Sequence, residues 1–80
     1  MPDATRFHYF EKGTRYERVT LQQDLFGSWV VKREWGNIAR CSVRCLAMPA
    51  ANYDAALGLL EATIKRRAKR GYQEIAGDVQ

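Results

Sequence analysis

Polar and hydrophobic residues alternate along much of the first half of this chain, and such a period of two is typical of β-strands with one buried face. The alternation is clearest over residues 16–23, where Val19 and Leu21 fall on the side opposite Arg18. Short segments that contain glycine separate the alternating stretches and have the composition of turns. We therefore predict an antiparallel meander with strands at residues 6–11, 16–23, 29–35 and 40–48.

The second half of the chain changes to an apolar spacing of three and four residues, which is typical of one face of an α-helix. Asn52 precedes this pattern as a predicted N-cap, and Gly71 follows a basic last turn as a predicted C′ residue. The apolar stripe must lie on the sheet, because so small a meander cannot otherwise cover its apolar side. The stripe comprises Tyr53, Ala56, Leu57, Leu60 and Ile64. The predicted fold is α+β: an antiparallel β-sheet of about four strands with one C-terminal helix packed on one face.

The length of 80 residues predicts one domain. A chain of this size buries only a little over about 60% of its unfolded surface, which leaves little room for a deep catalytic pocket. We expect a core at residues 6–72 and a flexible tail at 73–80. No apolar run approaches the roughly 18 residues that cross a bilayer, and residues 1–6 lack a signal-peptide core, so the expected protein is cytoplasmic without a membrane partner.

Catalytic and metal-binding patterns are sparse in the sequence. On one strand, Cys41 and Cys45 would lie about 13 Å apart, beyond the disulfide limit of about 7 Å between Cα atoms. We expect both to be buried, inert thiols. His8 is the sole histidine, and no nucleophile or paired carboxylate has catalytic spacing near it. The sequence therefore predicts neither an enzyme nor a cofactor, metal or small-molecule substrate.

The net charge of +4 is concentrated in one part of the sequence. Residues 1–31 carry four basic and four acidic side chains, whereas residues 32–70 carry nine basic against three acidic ones. Such a distribution suits a polyanionic partner. A second interpretation stays open, because basic residues at the end of a helix also complement its dipole and improve solubility.

The segment at residues 29–38 joins a strand with interleaved cations to the pair Trp35-Gly36. A Trp at the end of a strand can stack on a base or sugar while a nearby cation holds a phosphate, and each stacked base contributes roughly 1–3 kcal/mol. The alternative is that Trp35 closes a small core, as large aromatic side chains often do. The residues of the segment leave both interpretations open.

The order of these features resembles the WGR domain. This Trp-Gly-Arg module is found beside the catalytic region of DNA-dependent poly(ADP-ribose) polymerases and as small stand-alone bacterial proteins. The strand at residues 16–23, the segment at 29–38, the helix start at 53–56 and the basic end at 69–72 carry the resemblance. It covers residues 6–72 and looks closest to the stand-alone bacterial proteins.

The resemblance implies a sheet with a helix on one face and a role in holding DNA ends or breaks. The residue matching the family's motif Trp, Trp35, would pack at the end of the nucleic acid. Asn37 stands where the family has Arg, so a phosphate contact or ion pair at that position is lost. Ala39 replaces the glycine that usually follows, which removes easy access to a positive φ.

Two functions are expected from these observations. The first is a non-enzymatic DNA-binding module in which Trp35 makes the apolar or stacking contact and Arg33, Arg40 and Arg44 hold phosphates largely without sequence preference. The alternative is a protein-interaction adaptor that uses Trp35 and the same cations to bind an acidic partner. The predicted site residues are Trp35, Arg33, Asn37, Arg40, Arg44 and Lys32, with Lys65, Arg66, Lys69 and Arg70 as a secondary patch.

Overall fold

The computed structural model describes residues 6–77 and consists of an antiparallel sheet with one helix against it. The elements are β1 (Arg6–Lys12), β2 (Arg15–Gln23), β3 (Trp29–Asn37), β4 (Ser42–Ala50), α1 (Tyr53–Lys69) and β5 (Gln73–Gly77). The five strands lie in the order β4-β3-β2-β1-β5. The predicted α+β fold is confirmed, with five strands in place of about four.

The additional strand corrects the prediction of a flexible tail after residue 72. Residues 73–77 pair antiparallel with β1, so that Gln73 lies opposite Glu11 and Gly77 opposite His8. A carboxylate oxygen of Glu74 lies 2.7 Å from Nδ1 of His8 and accepts a hydrogen bond from it, which is an ion pair when the imidazole is protonated. This contact joins the two strands through their side chains. Residues 73–76 are exposed, so backbone pairing rather than apolar burial holds β5 in place. Residues 78–80 of the predicted tail lie outside the described residues.

The core lies between α1 and one face of the sheet, as the apolar stripe predicts. Ala56 and Leu60 of the stripe are buried, and Tyr53, Leu57 and Ile64 pack around them. Their partners in the sheet are Phe10, Val19, Leu21 and Val31. The opposite face of the sheet is not covered by any helix or strand of the described chain.

The ends of α1 agree with the residues predicted to cap it. The side chain of Asn52 accepts a hydrogen bond from the backbone N–H of Ala55 at 2.8 Å, which satisfies one of the first N–H groups of the helix. Gly71 follows Arg70, the C-cap residue, with a φ of 89°, a conformation that glycine adopts readily. No helix within residues 6–77 combines the length and the apolar character needed to cross a membrane.

The turn between β2 and β3 presents two large apolar side chains to solvent. Oδ1 of Asp24 accepts hydrogen bonds from the backbone N–H groups of Phe26 and Ser28, both at 2.9 Å. These bonds fix the turn in the manner of an Asx turn. Leu25 is 100% exposed and Phe26 is 92% exposed at its tip.

The two cysteines are exposed free thiols, and the prediction that they are buried is wrong. Cys41 lies in the turn before β4 with a φ of 54°, so the two residues do not share one strand. Cys45 lies within β4, which is an edge strand. Its side chain points to the uncovered face, because Met48 and the other even-numbered residues of β4 face the helix.

Candidate nucleic-acid interface

A groove of about 360 Å³ lies at the end of the sheet where β2 begins and β3 ends. Its walls combine three arginines with three aromatic residues, and no described residue that lines it is acidic. Cations and flat rings together provide contacts for phosphates and for bases or sugars. We call this site the basic groove; it is lined by Arg15, Tyr16, Trp35, Gly36, Asn37, Arg40, Ser42, Arg44 and Tyr72.

Strand register brings these separated residues together. Arg15 at the start of β2 pairs with Asn37 at the end of β3, and Asn37 pairs with Ser42 at the start of β4. Two residues further into the sheet, Trp35 pairs with Arg44. Because neighbouring strands are antiparallel, the start of β2, the end of β3 and the start of β4 meet at one end of the sheet.

The Trp-Gly pair has a steric cause at this end of the sheet. A Cβ atom built on Gly36 would overlap the carbonyl oxygen of Ser42 and lie 3.2 Å from Cε1 of Tyr16. Only glycine therefore allows β4 and the ring of Tyr16 to approach β3 here. Gly36, which also lines the basic groove, therefore permits this close packing beside Trp35.

The turn after β3 is organised by Asn37. Its Oδ1 atom accepts a hydrogen bond from the backbone N–H of Arg40 at 3.2 Å, and its own N–H donates to Oγ of Ser42 at 3.1 Å. The positive φ of this turn falls at Cys41 rather than at Ala39, so the turn does not require a glycine at position 39. Asn37 therefore fixes the position of Arg40 in the groove.

Below the groove, a buried carboxylate holds two arginines, and each arginine stacks on an aromatic ring of the groove. Glu17 is 1% exposed and pairs with Nε of Arg33 at 2.7 Å and with a terminal nitrogen of Arg67 at 3.2 Å. The guanidinium carbon of Arg33 lies 4.8 Å from the centre of the Trp35 ring, and that of Arg67 lies 5.5 Å from the centre of the Tyr72 ring. Both distances are within the range of cation–π attraction. Glu17 thereby positions two walls of the groove.

The uncovered face of the sheet contributes one wall through Tyr16. Its hydroxyl donates a hydrogen bond to Glu34 at 3.1 Å, and burial together with this bond raises the pKa of Tyr16 above its ordinary value. On the same face, the hydrogen bond that Tyr9 donates to Glu11 at 2.9 Å is the main cause that raises the pKa of Tyr9. Both hydrogen bonds therefore favour the neutral form of the phenol.

The predicted site residues lie in four different places. Trp35, Asn37, Arg40 and Arg44 meet in the basic groove. Arg33 is engaged with Glu17 beside the Trp35 ring, and Lys32 lies on a second hollow, of about 550 Å³, on the uncovered face. The four residues of the predicted secondary patch, Lys65, Arg66, Lys69 and Arg70, are exposed at the end of α1 and do not line the groove.

Sequence reasoning did not include Arg15, Tyr16 and Tyr72 in the site, nor Glu17 and Arg67 beneath it. The turn at residues 24–28 fixes the register of the hairpin, and that register alone places Arg15 opposite Asn37. Glu17 has the same parity as Val19 and Leu21, so the period-two pattern already puts its carboxylate on the buried face. A carboxylate there requires cationic partners, which the basic helix end supplies through Arg67.

Within residues 6–77, no three His, Cys, Asp or Glu side chains come together as ligands for a metal ion. Comparison with protein-family models, with curated proteins and with solved structures finds no significant match to this chain. The resemblance to WGR domains, which depends on the motif residues, therefore stays a prediction.

Proposed function

We propose that this chain is a WGR-like, non-enzymatic module that binds nucleic acid, and specifically DNA at ends or breaks. The observation that carries the proposal is the composition of the basic groove: three arginines, three aromatic rings and no acid among the described lining residues. In this proposal the arginines hold phosphates and Trp35 contacts the terminal base or sugar.

The arginines of the groove are available for phosphate. The ion pairs between described residues join Glu17 to Arg33 and Arg67 and His8 to Glu74, and none of them involves Arg15, Arg40 or Arg44. A guanidinium without a carboxylate partner presents its planar set of N–H donors to phosphate oxygens. In this proposal Arg40 and Arg44 are the main phosphate contacts, with Arg15 opposite them.

Arg33 has a different part in the proposal, because Glu17 occupies two of its guanidinium nitrogens, at 2.7 and 3.3 Å. It holds the Trp35 ring in place rather than the phosphate. The charge that Asn37 lacks is then supplied by Arg40, whose backbone N–H is bound by Asn37 itself. The described lining of the groove includes no carboxylate or histidine that could act as a general acid or base. A cytoplasmic location and the lack of a cofactor or small-molecule substrate are further parts of the proposal.

Binding is measured by fluorescence anisotropy with labelled nicked duplex, blunt duplex and single-stranded DNA. Three phosphate contacts predict that affinity falls about 40-fold between about 50 and 200 mM salt. Trp35→Ala should weaken binding by roughly 1–3 kcal/mol, the value of one stacked base. In a Trp29→Phe background, Trp35 is the remaining tryptophan, and its emission should change as DNA binds.

The matched control is Arg18→Ala, which removes one positive charge from the uncovered face, away from the groove. Arg44→Ala should weaken binding several-fold more than Arg18→Ala. Equal losses of affinity in the two variants would mean that DNA binding depends on the net charge of the protein and not on the groove. Absence of binding to all three DNA forms at low salt would end the proposal.

One observation favours the second candidate, a protein-interaction adaptor with an acidic partner. Leu25 and Phe26 are fully or almost fully exposed on a fixed turn, and exposed apolar pairs of this kind often contact proteins. Trp35 and the groove arginines also belong to the residue types that dominate protein interfaces. The affinity for polyglutamate distinguishes the two candidates. A site for an acidic protein should bind polyglutamate as tightly as DNA of equal charge, whereas a DNA site with a stacking contact should bind DNA more tightly.

A further inference from the structure

The two edges of the sheet differ in how well they are protected against pairing with another strand. The edge strand β5 has five residues, and a register irregularity interrupts its pairing with β1 between Tyr9 and Phe10. The other edge strand, β4, has nine residues in unbroken register with β3. Long, regular edges present unpaired backbone N–H and C=O groups to other chains, whereas short or irregular edges discourage such pairing.

The residues of β4 do little to block another strand. Residues 42–47 are all exposed, including Val43 at 58% and Leu46 at 45%. Arg44 is the one charged residue of the strand. Pro49 lacks an N–H group and limits regular pairing to residues 42–48.

This segment is complementary to itself. Its midpoint is Cys45, so an antiparallel pair of two identical segments places Cys45 beside the Cys45 of the second copy. Val43 then lies opposite Ala47, and Arg44 lies opposite Leu46 instead of opposite another arginine. Directly opposed charges of like sign are thereby avoided.

We propose that β4 pairs with the β4 strand of a second copy of this chain, in a two-fold symmetric dimer with one continuous ten-stranded sheet. The two-fold axis passes beside Cys45, and both helices lie on the same face of the joint sheet. Seven residues on each side form an interface smaller than the roughly 1,200–2,000 Å² of standard complexes, so the dimer depends on protein concentration. Because Arg44 lines the basic groove, the dimer also brings two grooves near each other.

The position of Cys45 gives a direct test in the purified full chain. Directly opposed residues of antiparallel strands have Cα atoms about 4.5–5.5 Å apart, which is within the disulfide limit of about 7 Å. Diamide, which takes two electrons from a pair of adjacent thiols, should therefore form a covalent dimer that non-reducing electrophoresis detects. Cys41→Ser should keep this product, and Cys45→Ser should abolish it.

A non-covalent test uses matched lysine substitutions on the two edges. Val43 on β4 and Ile75 on β5 are 58% and 54% exposed, so Val43→Lys and Ile75→Lys add the same charge at similarly exposed sites. Sedimentation velocity at rising concentration should show a dimer for the unchanged chain and for Ile75→Lys. Val43→Lys should remain a monomer at least tenfold higher in concentration.

The proposal is overturned if the unchanged chain remains a monomer at millimolar concentration. It is also overturned if the two cysteine variants lose the cross-link equally, since that indicates random collision of exposed thiols. A dimer that resists Val43→Lys and yields to Ile75→Lys would place the contact on the other edge. The cysteine test still decides the question if a lysine variant does not fold, because it uses only substitutions at two exposed thiols.

Discussion

Gly36 occupies a position where the approach of two chain segments, rather than its own backbone angles, requires glycine. Gly36→Ala would place a methyl group against the carbonyl oxygen of Ser42, so we expect a loss of about 3 kcal/mol in the free energy of unfolding. Gly58→Ala is the control, because a Cβ at Gly58 on α1 meets no atom within 4 Å. That variant should gain about 0.5–1 kcal/mol from its better helix propensity. Urea denaturation of both variants measures the difference, and similar values would contradict the steric explanation.

Glu17 is the single carboxylate that compensates Arg33 and Arg67 in the described structure. Glu17→Gln leaves two adjacent cations without their counter-charge, and we expect it to destabilise the fold by about 3 kcal/mol. Glu61→Gln, at an exposed helix position, should change stability by less than about 0.5 kcal/mol. A second consequence of Glu17→Gln is that Arg33 loses its anchor beside the Trp35 ring. The fluorescence emission of Trp35, measured in the Trp29→Phe background, should therefore change. An unchanged emission would mean that Glu17 does not position Trp35.

The raised pKa values of Tyr9 and Tyr16 predict how stability changes in alkali. A phenol whose pKa is higher in the folded state contributes stability that is fully present below its unfolded pKa of about 10. That contribution is lost as the pH rises through the folded pKa. The unfolding free energy of the unchanged chain should therefore fall more steeply above about pH 10 than that of a Tyr9→Phe/Tyr16→Phe variant. Parallel curves for the two proteins would contradict the role of Glu11 and Glu34 as hydrogen-bond acceptors.

Among the elements, β5 is held by pairing rather than by burial, and its contribution can be measured by truncation. A chain that ends at Tyr72 leaves β1 as an unprotected edge and removes Glu74 from His8. The ladder between β1 and β5 has four residue pairs, so at roughly 1 kcal/mol for each backbone hydrogen bond we expect the unfolding free energy to fall by about 2–4 kcal/mol. A chain that ends at Gly77 keeps all of β5 and is the control. If both truncated chains are equally stable, β5 does not contribute to the fold.

The elements that the sequence predicts well are those in which hydrophobic periodicity and turn chemistry agree. In β2 and β3 the alternation of apolar residues and the glycine-containing turn at residues 24–28 indicate the same hairpin. The helix is bounded by Asn52 and Gly71, whose roles follow from cap chemistry. By contrast, β5 has no buried apolar face, so no periodic signal distinguishes it from a tail.

The site is predicted only in part, for a related reason. Trp35, Arg40 and Arg44 are close in sequence, and their approach follows from one hairpin. Tyr72 reaches the groove through the packing of the helix end, and Arg67 reaches Glu17 across the sheet and the helix. Contacts of this kind depend on how α1 lies on the sheet, which no local pattern specifies. The exposure of both cysteines likewise follows from strand order, because β4 becomes an edge.

Across the whole molecule, the two most exposed apolar side chains and the basic groove lie at opposite ends of β3. Asp24 is the single charged residue in 19–31, and the turn that holds it presents Leu25 and Phe26 to solvent. At the other end of β3 lie the basic groove and the basic last turn of α1. The described structure is 37 Å long, so a polyanion at the basic end does not reach the apolar turn unless it extends along the molecule.

The salt dependence of DNA binding tests which part of the basic end makes the phosphate contacts. Each phosphate neutralised contributes about 0.9 to the slope of log K against log salt concentration. Arg40→Ala/Arg44→Ala should therefore lower that slope by roughly 2. Lys65→Ala/Lys69→Ala removes the same charge from residues that do not line the groove, and it should lower the slope by less than about 1. Equal reductions would contradict a phosphate site centred on the groove. They would mean that the DNA-binding surface extends over the end of α1, with each positive charge near the helix end contributing equally to the slope.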